Sequence, residues 1–172
     1  MGLPGCETSS QAALDGDRAR ARGRLVAEVS IVNALPEIGR VHEPCRRAAD
    51  AAGLGAGARA DLLLILDELL SNAIRHAFPD GGAHAIDLKF RVRRSGLEAT
   101  VEYGGVAFDP ATAPLPERRS SLDERPLGGL GVHFVRELAD ELRYRRVGDR
   151  NRVILTMRTG AVTRRKGSDG RP

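Results

Sequence analysis

The chain shows its fold most clearly at Ala60-Asp-Leu-Leu-Leu-Ile-Leu-Asp-Glu-Leu-Leu-Ser-Asn-Ala-Ile-Arg-His76, a stretch with the apolar period of a buried helix. Within it Glu68, Asn72 and His76 recur every fourth residue, which places their side chains on one face in successive turns. The apolar side chains assigned to the opposite surface are Leu62, Leu63, Leu66, Leu69, Leu70, Ala73 and Ile74. The stretch therefore predicts a helix packed on a core, with a carboxylate, an amide and an imidazole at its edge.

This polar face has two interpretations. The Asn72 amide offers a neutral oxygen ligand suited to Mg²⁺, and the Glu68 carboxylate can orient or deprotonate a hydroxyl. A polar face is equally the ordinary solvated side of an amphipathic helix. Taken alone, the helix sequence favours the second interpretation, an ordinary solvated face.

Two glycine-rich segments further along the chain change this balance. In Val101-Glu-Tyr-Gly-Gly-Val-Ala-Phe-Asp-Pro110 a strand ends in a glycine pair. In Pro126-Leu-Gly-Gly-Leu-Gly-Val-His-Phe-Val-Arg-Glu-Leu-Ala-Asp140 a glycine cluster leads into an amphipathic helix, whose N-terminus favours anions. The three motifs in this order are more specific than any one of them, and they favour a functional role for Glu68 and Asn72.

With these motifs, residues 25–158 resemble the histidine-kinase-like (GHKL, Bergerat-fold) ATPases, and among them the anti-sigma-factor serine kinases. The resemblance implies that Glu68 is the base that activates the attacking hydroxyl and that Asn72 binds the Mg²⁺ bridging the ATP phosphates. It places His76 beside the phosphates, Gly105 at the adenine end and Thr156 on the pocket floor. The glycines implied to close over the triphosphate are Gly128, Gly129 and Gly131.

Tyr103 departs from the family pattern, which has an aspartate there that accepts the adenine amino group. Strand alternation puts Tyr103 on the same side as Leu97, Ala99 and Val101, so Glu102 cannot replace that aspartate without a slip in register. A tyrosine hydroxyl can accept a hydrogen bond, but it is neutral at pH 7. Alternatively the ring fills the pocket or stacks on the base.

Two functions from different classes follow. The first is a protein serine/threonine kinase that uses ATP and Mg²⁺ to phosphorylate an anti-sigma-factor antagonist and that also sequesters a sigma factor. The second is a partner-switching module on the same fold that binds nucleotide poorly or not at all because of Tyr103. A sensor histidine kinase is a weaker third option, since no helical segment with a phosphoacceptor His precedes the domain. Relatives usually dimerise, so the resemblance also implies a homodimer.

The composition argues against several other classes of protein. The net charge of +4 arises from 27 basic and 23 acidic residues, a balance that does not favour direct nucleic-acid binding. The two cysteines, Cys6 and Cys45, form no Cys-x-x-Cys site, which argues against a structural zinc or a disulfide framework. No apolar run approaches the roughly 20 residues of a membrane span, and cytoplasmic residence is the expectation.

The predicted fold is an α+β two-layer sandwich, with a mixed, mainly antiparallel sheet and three helices on one face. Strands are expected at 25–32, 86–92, 97–103, 142–147 and 151–158, and helices from Pro36 to about Ala52, over the quoted stretch, and from 131 to about 142. Residues 1–23 are expected to be a disordered tail, 24–158 the ATPase domain with a lid at about 110–127, and 159–172 a basic tail.

Overall fold

The computed structural model describes residues 23–110 and 131–160, which form a sheet of five strands with helices packed on one face. The strands are β1 (Arg24–Val32), β2 (Ala85–Arg93), β3 (Gly96–Tyr103), β4 (Glu141–Val147) and β5 (Arg150–Arg158). The helices are α1 (Gly39–Ala51), which follows a 3-10 turn at Leu35–Ile38, α2 (Ala56–His76) and α3 (Gly131–Leu138). The predicted α+β two-layer architecture is confirmed.

The strands lie in the order β1-β2-β3-β5-β4, and all four neighbouring pairs of described strands are antiparallel. The parallel pairing allowed for in the prediction of a mixed sheet is therefore wrong for this part of the chain. Two of the pairs, β2 with β3 and β4 with β5, are joined by turns of two residues, and so tight a turn can only connect antiparallel strands.

The core lies between the sheet and the helices. The side chains of Leu97, Ala99, Val101 and Tyr103 are all buried on the helix-covered face of β3, as the alternation predicts. On α2 the buried residues are Leu62, Ile65, Leu66, Leu69, Leu70, Asn72 and Ala73. The predicted face was thus nearly correct, but it missed Ile65 and included Leu63 and Ile74, which are only half-buried.

Several boundaries differ from the predicted ones. Helix α3 ends at Leu138, because the Thr156 carbonyl oxygen accepts a hydrogen bond from the Asp140 backbone N–H and the chain turns into β4. Gly23, assigned to the N-terminal tail, is buried, and its backbone lies against Val92 and Arg93. The predicted lid beyond Pro110 and most of both predicted tails lie outside the described residues. Among the residues that are described, no helix combines the length and the apolar character needed to cross a membrane.

The loop after β3 packs directly onto the end of α2. The Val106 backbone N–H donates a hydrogen bond of 2.8 Å to the carbonyl oxygen of Ala77, the C-cap residue of α2. Gly105 precedes it with a φ of +82°, and a Cβ atom at this position would overlap the same carbonyl oxygen. Only glycine therefore permits this approach of loop to helix.

On the opposite, helix-free face of the sheet, charged side chains pair across strands. The Asp87 carboxylate accepts hydrogen bonds from the Ser30 hydroxyl at 2.8 Å and from the Arg150 guanidinium at 2.5 Å. Partial burial raises the pKa of Asp87, but these hydrogen bonds outweigh that effect, and the net result is a pKa below the ordinary 3.8. Asp87 therefore ties β1 and β5 to β2 in its ionised form.

We expect Gly105→Ala to destabilise the fold by about 3 kcal/mol, because the new methyl group meets the Ala77 carbonyl and alanine disfavours a positive φ. Gly104→Ala is the matched control, since a Cβ there meets nothing within 4 Å, and it should change stability by less than about 0.5 kcal/mol. Urea denaturation followed by circular dichroism measures both. Equal effects of the two substitutions would contradict the packing described here.

We expect Asp87→Asn to reduce the acid sensitivity of the protein. The depressed pKa contributes stability that is present above pH 4 or so and is lost as the pH falls through the folded-state pKa. The loss of unfolding free energy between pH 6 and pH 3 should shrink by up to about 1 kcal/mol, with Ser30→Ala giving an intermediate value. Chemical denaturation at both pH values is the measurement, and an unchanged pH dependence in Asp87→Asn would count against this role.

Candidate functional site

Helix α2 carries the predicted catalytic face on its C-terminal half. Glu68 is half-buried, Asn72 is 6% exposed and His76, the last residue of the helix, is exposed. The structure thus places the three residues on one helix face. Along it the carboxylate is partly accessible, the amide is buried and the imidazole is exposed.

Asn72 is one of two buried polar residues in the described part of the chain, the other being Asn151. Within the described residues its side-chain amide takes part in no hydrogen bond. This uncommitted amide is available as an oxygen ligand or a donor for a molecule bound beside α2.

Tyr103 lies at the end of β3, under the C-terminal end of α2. Its side chain is 3% exposed and meets the Phe78 ring edge-on, with 6.3 Å between ring centroids, and Phe78 in turn stacks on His84 at 4.7 Å. Burial raises the pKa of Tyr103 to about 12, so the phenol is neutral at every physiological pH. The ring faces the side that the strand alternation predicts.

Asn151 is a site residue that the sequence analysis missed. It is fully buried opposite Tyr103 in the β3–β5 register, and its side-chain amide holds the loop after β3. Its Nδ2 donates to the carbonyl oxygens of Gly104 (3.1 Å) and Val106 (3.0 Å), while its Oδ1 accepts from the Tyr144 hydroxyl (2.8 Å) and the Phe108 N–H (3.4 Å). The available signal was an asparagine in phase with Val153, Leu155 and Met157 on one face of a strand.

The position of Thr156 requires a correction. Thr156 alternates with the buried residues of β5, so its side chain lies on the helix-free face of the sheet, between Glu98 and Glu141 in register. Tyr103 and Asn72 belong to the other face. The predicted contribution of Thr156 to a pocket floor beside Tyr103 does not fit this register, and Asn151 occupies the position on β5 that faces the site.

The glycines are only partly described. Gly105 lies against the end of α2, as set out above, and Gly131 is the first residue of α3, a helix that packs on α2. Gly128 and Gly129 lie outside the described residues. The predicted closure of this segment over a triphosphate stays a prediction.

A shallow cavity of about 320 Å³ opens beside the same loop. It is lined by residues 77–80, His84, Gly105 and Val106, and Asp80 holds the His84 ring through a hydrogen bond of 2.8 Å. The lining includes neither Glu68 nor Asn72. The cavity therefore adjoins the predicted site at the end of α2, and the Glu68 end of the face lies outside it.

The side chains available as ligands determine which kind of metal site the described residues can form. The described residues contain no group of three or more His, Cys, Asp or Glu side chains that could hold a metal ion by themselves. A single buried amide oxygen, that of Asn72, fits an ion that arrives with most of its ligands supplied by phosphates and water, which is how Mg²⁺ binds with nucleotides. The residues present thus fit Mg²⁺ bound together with a nucleotide.

The chain is similar in sequence to known ATPase domains and protein kinases. Residues 32–157 match a family model described as a histidine kinase-like ATPase domain. The serine/threonine-protein kinase BtrW of Bordetella bronchiseptica is 36% identical over 98 residues, which cover 57% of this chain and 69% of BtrW. The serine-protein kinase RsbW of Listeria innocua is 26% identical over 99 residues, which cover 55% of this chain and 63% of that protein. These names support the prediction of a protein kinase.

Among solved structures, the RsbU and RsbW domains of a Mycobacterium tuberculosis protein superimpose with a TM-score of 0.51 at 17% identity, covering 77% of this chain and 32% of that one. This likeness shows the fold alone. The family model, by contrast, spans most of the sequence, including β2 to β4, nearly all of β5, and the face of α2 that carries Glu68 and Asn72. The chain therefore belongs to the histidine kinase-like ATPase domain family.

Proposed function

We propose that this protein is an ATP-dependent protein serine/threonine kinase of the anti-sigma-factor type. The observation that carries the proposal is the face of α2, where an accessible carboxylate, Glu68, lies one turn before a buried amide, Asn72, that no described residue satisfies. The kinase names of the relatives support it.

In this proposal Glu68 would accept the proton of the substrate serine hydroxyl, whose oxygen takes the terminal phosphoryl group from ATP and so releases ADP. A positioned carboxylate base contributes about 10²–10⁴-fold to such a step. Asn72 would hold Mg²⁺ through its Oδ1, and His76 lies one turn further along the same face. When bound, Mg·ATP supplies the phosphoryl group and the metal charge that neutralises the phosphates.

The proposed substrate is an anti-sigma-factor antagonist, and the proposed second partner is a sigma factor that the protein sequesters. Both follow from the similarity to RsbW and BtrW. The β1–β5 sheet has a helix-free face that can meet a protein partner while α2 serves the nucleotide. A cytoplasmic location is part of the same proposal, since sigma factors act on RNA polymerase.

A second candidate function has one specific observation in its favour. The Tyr103 ring, 3% exposed, packs with Phe78 and is held in the layer where the family's aspartate would lie. If the ring excludes the base, the protein acts by binding its partners without nucleotide. Binding of Mg·ATP to the unaltered protein separates the two candidates.

The kinase mechanism is tested by Glu68→Gln and Asn72→Ala. Glu68→Gln should retain ATP binding and lose about 10²–10⁴-fold in the rate of phosphoryl transfer, because the base is gone while the helix face is unchanged. Asn72→Ala should lose the Mg²⁺ dependence of ATP binding. The measurements are calorimetric titration with and without Mg²⁺, and transfer of radiolabelled phosphate from ATP to a candidate antagonist protein.

Asp67→Asn is the matched control, because Asp67 is the adjacent acidic residue but pairs with His42 of α1 at 2.8 Å. It should leave the transfer rate within about threefold of the unaltered protein. Transfer that persists at full rate in Glu68→Gln, or that falls equally in Asp67→Asn, would contradict the assignment of Glu68 as the base.

A further inference from the structure

The Tyr103 side chain is 97% buried, as its 3% exposure implies, at the end of β3. Its hydroxyl makes no hydrogen bond to another residue in the described part of the protein, and it is not one of the fully enclosed polar atoms that lack a partner there. This hydroxyl therefore has the capacity to bond to a ligand at the end of β3.

The other polar groups at this end of the sheet are already engaged. The row across the strands on the helix-covered face consists of Ile31, Ile86, Tyr103, Asn151 and Arg146. Both side-chain atoms of Asn151 are used by the loop and by Tyr144, and Arg146 donates to the Gly105 carbonyl oxygen at 3.0 Å. This row contains no carboxylate, so the group with free capacity in it is a neutral hydroxyl beside a cation.

The chemistry of a hydroxyl differs from that of a carboxylate in one respect that matters for purines. An ionised carboxylate only accepts hydrogen bonds, whereas a phenol both accepts and donates. Adenine presents an amino donor at its 6-position and guanine presents a carbonyl acceptor there. At the 6-position a carboxylate favours the adenine amino group over the guanine carbonyl, whereas a hydroxyl can bond to either group.

We propose that Tyr103 makes the nucleotide site of this protein permissive for purines, so that guanine and adenine nucleotides bind with similar affinity. The inference rests on the proposed function, because it takes the end of β3 as the base-binding end of the site. Tyr103 acts as the specificity-determining residue, and Arg146, whose guanidinium is held beside it, adds a positive charge that suits the guanine carbonyl.

The test is calorimetric titration of the unaltered protein with Mg·ATP and with Mg·GTP, repeated on three variants. The unaltered protein should bind both with dissociation constants within about threefold of each other. Tyr103→Asp should favour ATP by about tenfold or more, since it installs an acceptor that the 6-amino group of adenine satisfies and the 6-carbonyl group of guanine does not. Tyr103→Phe should weaken both nucleotides by a similar factor of about twofold to tenfold and should keep the ratio near one.

Tyr144→Phe is the control, because Tyr144 is the only other tyrosine of the chain and its hydroxyl bonds to Asn151. It should leave the ratio of the two affinities unchanged. If Tyr103→Asp does not fold, Tyr103→Phe still decides whether the hydroxyl bonds to the base. Unchanged affinities for both nucleotides in that variant overturn the inference.

The titration distinguishes failure of purine permissiveness from failure of the proposed kinase function. A tenfold or greater preference of the unaltered protein for ATP overturns purine permissiveness and leaves the proposed kinase intact. Failure of the unaltered protein to bind either nucleotide overturns the proposed function, and the inference with it. Similar affinities that separate in favour of ATP on Tyr103→Asp support both.

Discussion

The contact between the end of α2 and the loop after β3 is the constraint on which the rest of the site depends. The Ala77 carbonyl oxygen accepts the Val106 N–H, and the space beside it admits only a glycine at 105. Ala77 follows Asn72 by five residues on a continuous backbone ladder, so anchoring one end of this rigid element fixes the other. The helix face with Glu68 and Asn72 and the strand end with Tyr103 are thereby held in one geometry.

Asn151 fixes the other side of the same loop. Its four hydrogen bonds span the loop from Gly104 to Phe108 and reach Tyr144 on the edge strand. A buried side-chain network of this kind is stable only when every member is satisfied, which specifies a single loop conformation. The loop is therefore clamped between β5 and α2, while the Asn72 amide and the Tyr103 hydroxyl keep hydrogen-bonding capacity for a ligand.

The sequence predicted the parts of this arrangement that depend on periodicity. Strand alternation placed Tyr103 inward with Val101, and the helical period placed Glu68 and Asn72 on one face, because both follow from fixed backbone geometry. It did not predict Asn151, whose role depends on the register between β3 and β5, and register is set by tertiary pairing. Thr156 was misplaced because its role was taken from the family resemblance, whereas alternation along β5 puts its side chain on the helix-free face. The departure from the family pattern concerned Tyr103 alone, whereas the buried Asn151 opposite it determines the shape of the loop.

The central claim is that the end of α2 and the loop after β3 form one nucleotide site. Its most direct test is a titration of the isotope-labelled protein with Mg·ATP, followed by amide NMR spectra. The account predicts that amide signals of residues 72–78 and 104–108 shift together and saturate at one ligand concentration. Shifts confined to the helix-free face of the sheet, or no shifts at saturating Mg·ATP, would contradict it.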